Sequence, residues 1–197
     1  MPSSNKCPMA RRRNGAIFSA FAVLVVALLC AGVTAGVHHG LAGAFEQSDL
    51  ALDEAKGGAQ RKLLFPDATS FESQSAPAVE GLNSVYKADT GAWVFDVTSA
   101  QGYHGDVELM VGINADGTVA GIQVVAEDET DGIGTNAFTE EYFGGFAGAT
   151  AAGELTVDEA GAGQTHVDAV SGATFTSRAV VDCLNIAFAA YAQMGGN

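Results

Sequence analysis

The pattern of apolar and polar positions divides the chain into three stretches. From Gly15 to Val37 it reads GAIFSAFAVLVVALLCAGVTAGV, 23 residues without a charge. At about 1.5 Å per residue this run crosses a hydrocarbon core of about 30 Å, and it predicts a transmembrane helix. Residues 38–81 mix Ala, Gly, Gln, Ser and charge around a single apolar cluster, Leu63-Leu64-Phe65. There ALDEAKGGAQRKLLF predicts a membrane-proximal helix that breaks at Pro66, and TSFESQSAPAVEG predicts a linker or surface loop.

From about Val85 the period changes to two, the signature of half-buried strands. AWVFDVTS (92–99), VELMVGI (107–113) and TVAGIQVVAE (118–127) are the predicted strands. The last two are joined by Asn114-Ala115-Asp116-Gly117, where Asp-Gly supplies the positive φ of a short hairpin turn. DETDGIGTN predicts a loop, Phe138 to Phe146 a short helix broken at Gly144-Gly145, and THVDAV (165–170) a short strand. In SRAVVDCLNIAFAAYAQM (177–194), Val180, Val181, Leu184, Ala187, Phe188 and Tyr191 recur at helical spacing. Strands followed by helices, with little βαβ alternation, predict an α+β domain with an antiparallel sheet packed by helices. The predicted organisation is a cytoplasmic N-terminus (1–14), an anchor (15–37), a membrane-proximal helix and linker (38–81) and a folded domain (82–197).

Charge orients the anchor. Lys6, Arg11, Arg12 and Arg13 precede the apolar run, and the five basic residues after it face all 23 acidic ones. The positive-inside rule then puts the N-terminus in the cytoplasm and the acidic body on the other side of the membrane. A cleaved signal peptide is the competing reading, with Val33-Thr34-Ala35 as a cleavage-like stretch. Its apolar run is usually only about 7–15 residues, which favours a retained anchor. The acidic body excludes nucleic-acid binding, which depends on Lys and Arg neutralising phosphates. Cys7, Cys30 and Cys183 have no close spacing, so neither a disulfide framework nor a thiolate metal site is expected, and Cys183 reads as a small apolar helix residue. The histidines at 38, 39, 104 and 166 lack ligand spacing, apart from the adjacent His38-His39. No Walker A loop and no G-x-S-x-G elbow is present.

One cluster remains, DAVSGATFTS at 168–177, directly before the last helix. Two readings stand beside each other. Ser177 or Thr176 can cap the helix and do nothing more. Alternatively, Gly172-Ala173 leave the backbone accessible and Thr174 sits at the positive end of the helix dipole, where unpaired N–H groups favour a phosphate.

The segment Ser171-Gly172-Ala173-Thr174-Phe175-Thr176-Ser177, with Asp168 upstream, resembles the flavinylation motif of the FMN-binding domain of RnfG and NqrC. These are subunits of the Rnf and sodium-pumping NADH:quinone reductase complexes. GYHG (102–105), which contains Tyr103, and Glu129-Thr130-Asp131-Gly132-Ile133-Gly134 are similar to two further segments of that family, with Asp131 where the family usually has Pro. The resemblance covers about residues 80–194 together with the single anchor, and its length favours the RnfG type.

The resemblance implies FMN joined through a phosphoester to Thr174 by a flavin transferase that uses FAD. Asp168, Ser171, Gly172, Ala173, Thr176 and Ser177 would form the surrounding signature, and Glu129, Thr130, Gly132, Gly134 and Tyr103 would lie near the flavin. It implies an extracytoplasmic electron-transfer subunit that works with other membrane subunits of an ion-translocating, ferredoxin- and NAD-linked oxidoreductase, and that holds no NAD site of its own. Two other readings are a free-standing FMN carrier serving exported reductases and a non-redox surface binding module.

Overall fold

The computed structural model describes residues 57–196; the predicted cytoplasmic N-terminus and the 15–37 span lie outside the described residues. Among the described residues, no helix is long and apolar enough to cross a membrane. A short helix α1 (Ala59–Leu64) leads into β1 (Phe71–Gln74), β2 (Leu82–Ala88), β3 (Trp93–Ser99), β4 (Val107–Ile113) and β5 (Val119–Ala126). These five strands form one antiparallel sheet in sequence order. A 3-10 turn (Gly134–Phe138) and α2 (Glu140–Gly144) follow, then β6 (Glu154–Thr156), β7 (Gln164–His166) and the 20-residue α3 (Thr174–Gln193).

Alternation along the strands gives the sheet two faces of different use. One face presents Val85, Phe95, Val97, Leu109 and Val111 to Val180, Leu184, Ala187, Phe188 and Tyr191 of α3, and this is the main core. Removing one such side chain, as in Leu184→Ala, costs about 2–5 kcal/mol, because transfer and cavity terms add. The opposite face presents Tyr86, Val94 and Met110 to Leu64 and Phe65 at the end of α1. Arg61 of α1 is fully buried there, its guanidinium 4.0 Å from the centre of the Tyr86 ring. Further along that face lies a polar cluster, in which Asn83 Nδ2 donates to Asp96 Oδ1 (3.2 Å), Thr98 Oγ1 (2.8 Å) and Glu108 Oε1 (3.3 Å).

The β4–β5 hairpin follows its sequence signal. Gly117 takes φ 82°, and its N–H donates to Asn114 O at 3.0 Å. The expectation of a linker at 66–81 is corrected: β1 lies inside it and pairs with β2 in the same sheet, Phe71 opposite Ala88. The sheet therefore extends upstream of residue 82. The strand predicted over 165–170 is shorter, ending at His166, and it pairs in parallel with β6. The chain leaves that pairing to reach the start of α3, turning through Gly172 at φ 82°.

This small β6–β7 pair is fastened to α3 by side chains. Asn185 accepts from Leu155 N (2.8 Å) and donates through Nδ2 to Leu155 O (2.9 Å), standing in for a neighbouring strand. Arg178 Nη2 bonds Asp158 Oδ1 at 2.6 Å. The aspartate is held below the ordinary carboxylate range by its hydrogen bond to that guanidinium. Together these contacts set where the chain enters the helix.

Candidate functional site

Helix α3 begins at Thr174, three residues before the periodic run, and its first turn divides into an outward and an inward side. Thr174 and Phe175 are exposed, whereas Thr176 and Ser177 are 1% and 0% exposed. Neither buried hydroxyl caps the helix, which corrects that expectation. Ala173 holds the cap position without a side-chain hydrogen bond. Ser177 Oγ instead accepts from Val170 N at 3.0 Å, bracing the preceding loop, while Thr176 Oγ1 donates to Glu129 Oε2 at 2.8 Å. Their hydroxyls are used one turn inside the helix because folding brings the 129–134 loop and Val170 against that side.

The outward side opens on a cleft of about 320 Å³ lined by Tyr103, Glu129, Thr130, Ile133, Gly134 and the run from Gly172 to Thr176. Three segments separated in sequence thus meet at Thr174. At its foot, a Cβ built on Gly172 would meet nothing within 4 Å, and Thr174 itself is exposed. Apolar side chains stand at the mouth: Tyr103 is 64% exposed, Ile133 54% and Phe175 54%. The Tyr103 and Phe175 rings lie 5.9 Å apart, tilted by 46°.

The 129–134 wall is a compact turn. Thr130 O accepts from Ile133 N (3.1 Å) and Gly134 N (3.0 Å), and Gly132 takes φ 73°. Gly132 N donates to Thr135 Oγ1 at 2.9 Å, which holds the turn with Asp131 exposed at its tip.

Of the residues singled out from the sequence, Tyr103, Glu129, Thr130, Gly134, Gly172, Ala173, Thr174 and Thr176 line this cleft. Gly132, Asp168, Ser171 and Ser177 do not. Asp168 faces a separate groove of about 880 Å³, shared with Tyr142 and His166, and its carboxylate lies 3.5 Å from His166 Nε2. Ile133 and Phe175 had not been singled out; large apolar side chains inside glycine- and hydroxyl-rich loops were the available signal. Arg178, a basic residue near the site, is committed to Asp158 and lies 5.7 Å over the Phe175 ring.

The donor set suits a phosphorylated, ring-bearing group. An exposed hydroxyl stands at a helix start with no side-chain cap, where first-turn N–H groups and the dipole favour an anion. Beside it is an apolar mouth large enough for a flat ring. Residues 102–189 match the model of the FMN-binding domain.

The relatives narrow the class. The chain is 31% identical over 187 residues to the G subunit of an ion-translocating oxidoreductase complex from Pseudoalteromonas atlantica, covering 87% of this chain and 84% of that one. It is 27% identical over 190 residues to the G subunit of the Na(+)-translocating ferredoxin:NAD(+) oxidoreductase complex of Acetobacterium woodii, covering 87% and 89%. Among solved structures, the C subunit of a Na(+)-translocating NADH-quinone reductase from Parabacteroides distasonis matches at 22% identity and a TM-score of 0.45, over 55% of this chain and 58% of that one. The chain belongs to the family of G subunits of ion-translocating oxidoreductase complexes.

Proposed function

We propose that this chain is the flavin-bearing, electron-transfer subunit of an Rnf-type, ferredoxin- and NAD-linked complex, with FMN held by a phosphoester on Thr174. The observation that carries this reading is the position of that hydroxyl. It is exposed, it is the first residue of an uncapped helix, and it lies in the cleft where the 102–105, 129–134 and 171–177 segments converge.

Attachment is a group transfer without redox change. The Thr174 hydroxyl would supply the oxygen of the new phosphoester to the FMN half of FAD, with AMP as the leaving group and the hydroxyl proton taken by a base of the flavin transferase. The first-turn amides of α3 and the helix dipole would favour the charge of the phosphoryl group there. Tyr103, Ile133 and Phe175 would supply apolar surface for the ring. When bound, FMN supplies the electron chemistry, and the protein contributes orientation and electrostatics.

A covalent tether lets the domain present the ring at an open surface without needing tight non-covalent binding. That suits a carrier working outside the membrane, anchored by the 15–37 run. The other membrane subunits of the complex are then its partners for electrons.

Intact-mass measurement of the full chain produced beside a flavin transferase tests the assignment. The expected result is an added FMN less one water in the wild type and none in Thr174→Ala. An unmodified wild type under conditions where a control substrate is flavinylated overturns it.

A further inference from the structure

The cleft is held together by one side chain. Glu129 Oε1 accepts from Tyr103 N at 2.6 Å and His104 N at 3.2 Å, and Oε2 accepts from the Thr176 hydroxyl at 2.8 Å. The carboxylate therefore joins the 102–105 loop to the first turn of α3 across the site. Two glycines leave room beside it. A Cβ on Gly102 would stand 2.7 Å from Oε1, and one on Gly134 would stand 2.4 Å from Oε2 and 3.0 Å from Thr176 Oγ1. A glycine in each loop, a hydroxyl two residues after Thr174 and the glutamate between them are four parts of one joint.

We propose that Glu129 is a positioning residue that holds the Tyr103 loop against α3 and so shapes the flavin cleft, while setting a fixed negative charge in its wall. The first half stands on the protein alone; the second rests on the reading that the occupant is a flavin. Two N–H groups and one hydroxyl donate to an ionised acceptor, and such bonds are shorter and stronger than neutral ones. Thr176 is buried beneath the cleft floor, so its hydroxyl serves this joint. Tyr103, 64% exposed, has little packing of its own to keep it over the site. Near a redox ring, a carboxylate disfavours the added negative charge of the reduced form, by Coulomb repulsion in a partly desolvated wall.

Substitutions separate geometry from charge. Glutamine at 129 can turn its oxygen to the two amides and its NH₂ to Thr176, whose hydroxyl also accepts, so the joint survives while the charge is lost. Alanine removes both, and Thr176→Val removes one partner at nearly constant shape.

The geometric half is read on the full chain in a Thr174→Ala background, which carries no flavin on that residue whatever the native modification is. Amide hydrogen exchange at Tyr103 and His104 is expected to quicken at least about tenfold in Glu129→Ala and to stay near its starting value in Glu129→Gln. Thr176→Val is expected to quicken it and Thr176→Ser to restore it. Exchange at those two amides unchanged in both Glu129→Ala and Thr176→Val overturns the joint. Should alanine at 129 prevent folding, the Thr176→Val and Thr176→Ser pair decides the same question. The charge is read on flavin-loaded protein with Thr174 intact. A higher midpoint potential in Glu129→Gln supports the electrostatic half, and an unchanged potential overturns it.

Discussion

Thr174 and Thr176 are the same residue type, two positions apart on the first turn of one helix, yet they do unrelated work. Thr174 points outward into an open cleft with no partner imposed on it by the fold. Thr176 points inward, is 1% exposed, and gives its proton to Glu129. Ser177, next along, is fully buried and accepts from the Val170 backbone. A single short motif thus combines an element free to react with an element already spent on structure. Its residue types cannot distinguish the two, because hydroxyls serve both uses equally well. The direction each side chain takes as the helix winds leaves Thr174 exposed and buries Thr176 and Ser177.

That contrast can be broken experimentally. The largest expected effect is at the outward side: Thr174→Ala abolishes flavin attachment while stability changes by less than about 0.5 kcal/mol, as for an exposed site. Intact mass and thermal denaturation check the two halves of that statement. At the inward side the signs reverse. Ser177→Ala leaves the Val170 amide without its acceptor and costs about 1–3 kcal/mol, read by denaturant unfolding, while the Thr174 hydroxyl stays in place for attachment. Loss of flavin without loss of stability in Ser177→Ala would collapse the distinction.

Two smaller tests lie away from the cleft. The Cys183 thiol is pushed up to about 12, mainly by burial, so Cys183 in the folded protein is expected to resist alkylation at pH 8 and to label only on unfolding, read by peptide mapping. On the outer face of the sheet, burial and then repulsion from Asp96 raise Glu108 above its usual value. A group raised in the folded state contributes stability below its unfolded value and loses it as pH rises through the folded one. Glu108→Gln is therefore expected to stabilise the protein slightly at pH 7 relative to pH 4, by less than about 1 kcal/mol for this partly exposed pair, as compared by melting temperature.

Most of the sheet was legible because its strands alternate between two environments. AWVFDVTS, VELMVGI and TVAGIQVVAE carried the period-two signal of β3, β4 and β5, and Asp116-Gly117 marked the hairpin between the last two, whereas β2 was not among the predicted strands. The edge strand β1 was not legible. Its residues FESQ show the burial pattern of a strip mostly in water, so no period-two signal exists to read. Arg61 gave no signal either, since a charged residue in a short helix is ordinarily solvated, whereas here it is buried with its guanidinium near the Tyr86 and Phe71 rings. At the site, the three segments could be gathered by resemblance, but not the joint between them. Glu129, Gly102, Gly134 and Thr176 look like independent motif letters until the carboxylate is placed.

The Thr176–Glu129 bond spans 47 positions, and the amides of Tyr103 and His104 lie 26 and 25 positions before Glu129. One wall of the cleft belongs to α3, the last element of the domain. Closing such separations costs more chain entropy than closing a local hairpin, which favours hairpins forming first. Thr174 is therefore present in every chain as a residue, but as a site it exists only once the terminal helix has docked. On the proposed attachment at Thr174, an enzyme that needs the assembled cleft would act on finished domains and pass over incomplete ones, and the order of folding would then be a checkpoint for cofactor loading.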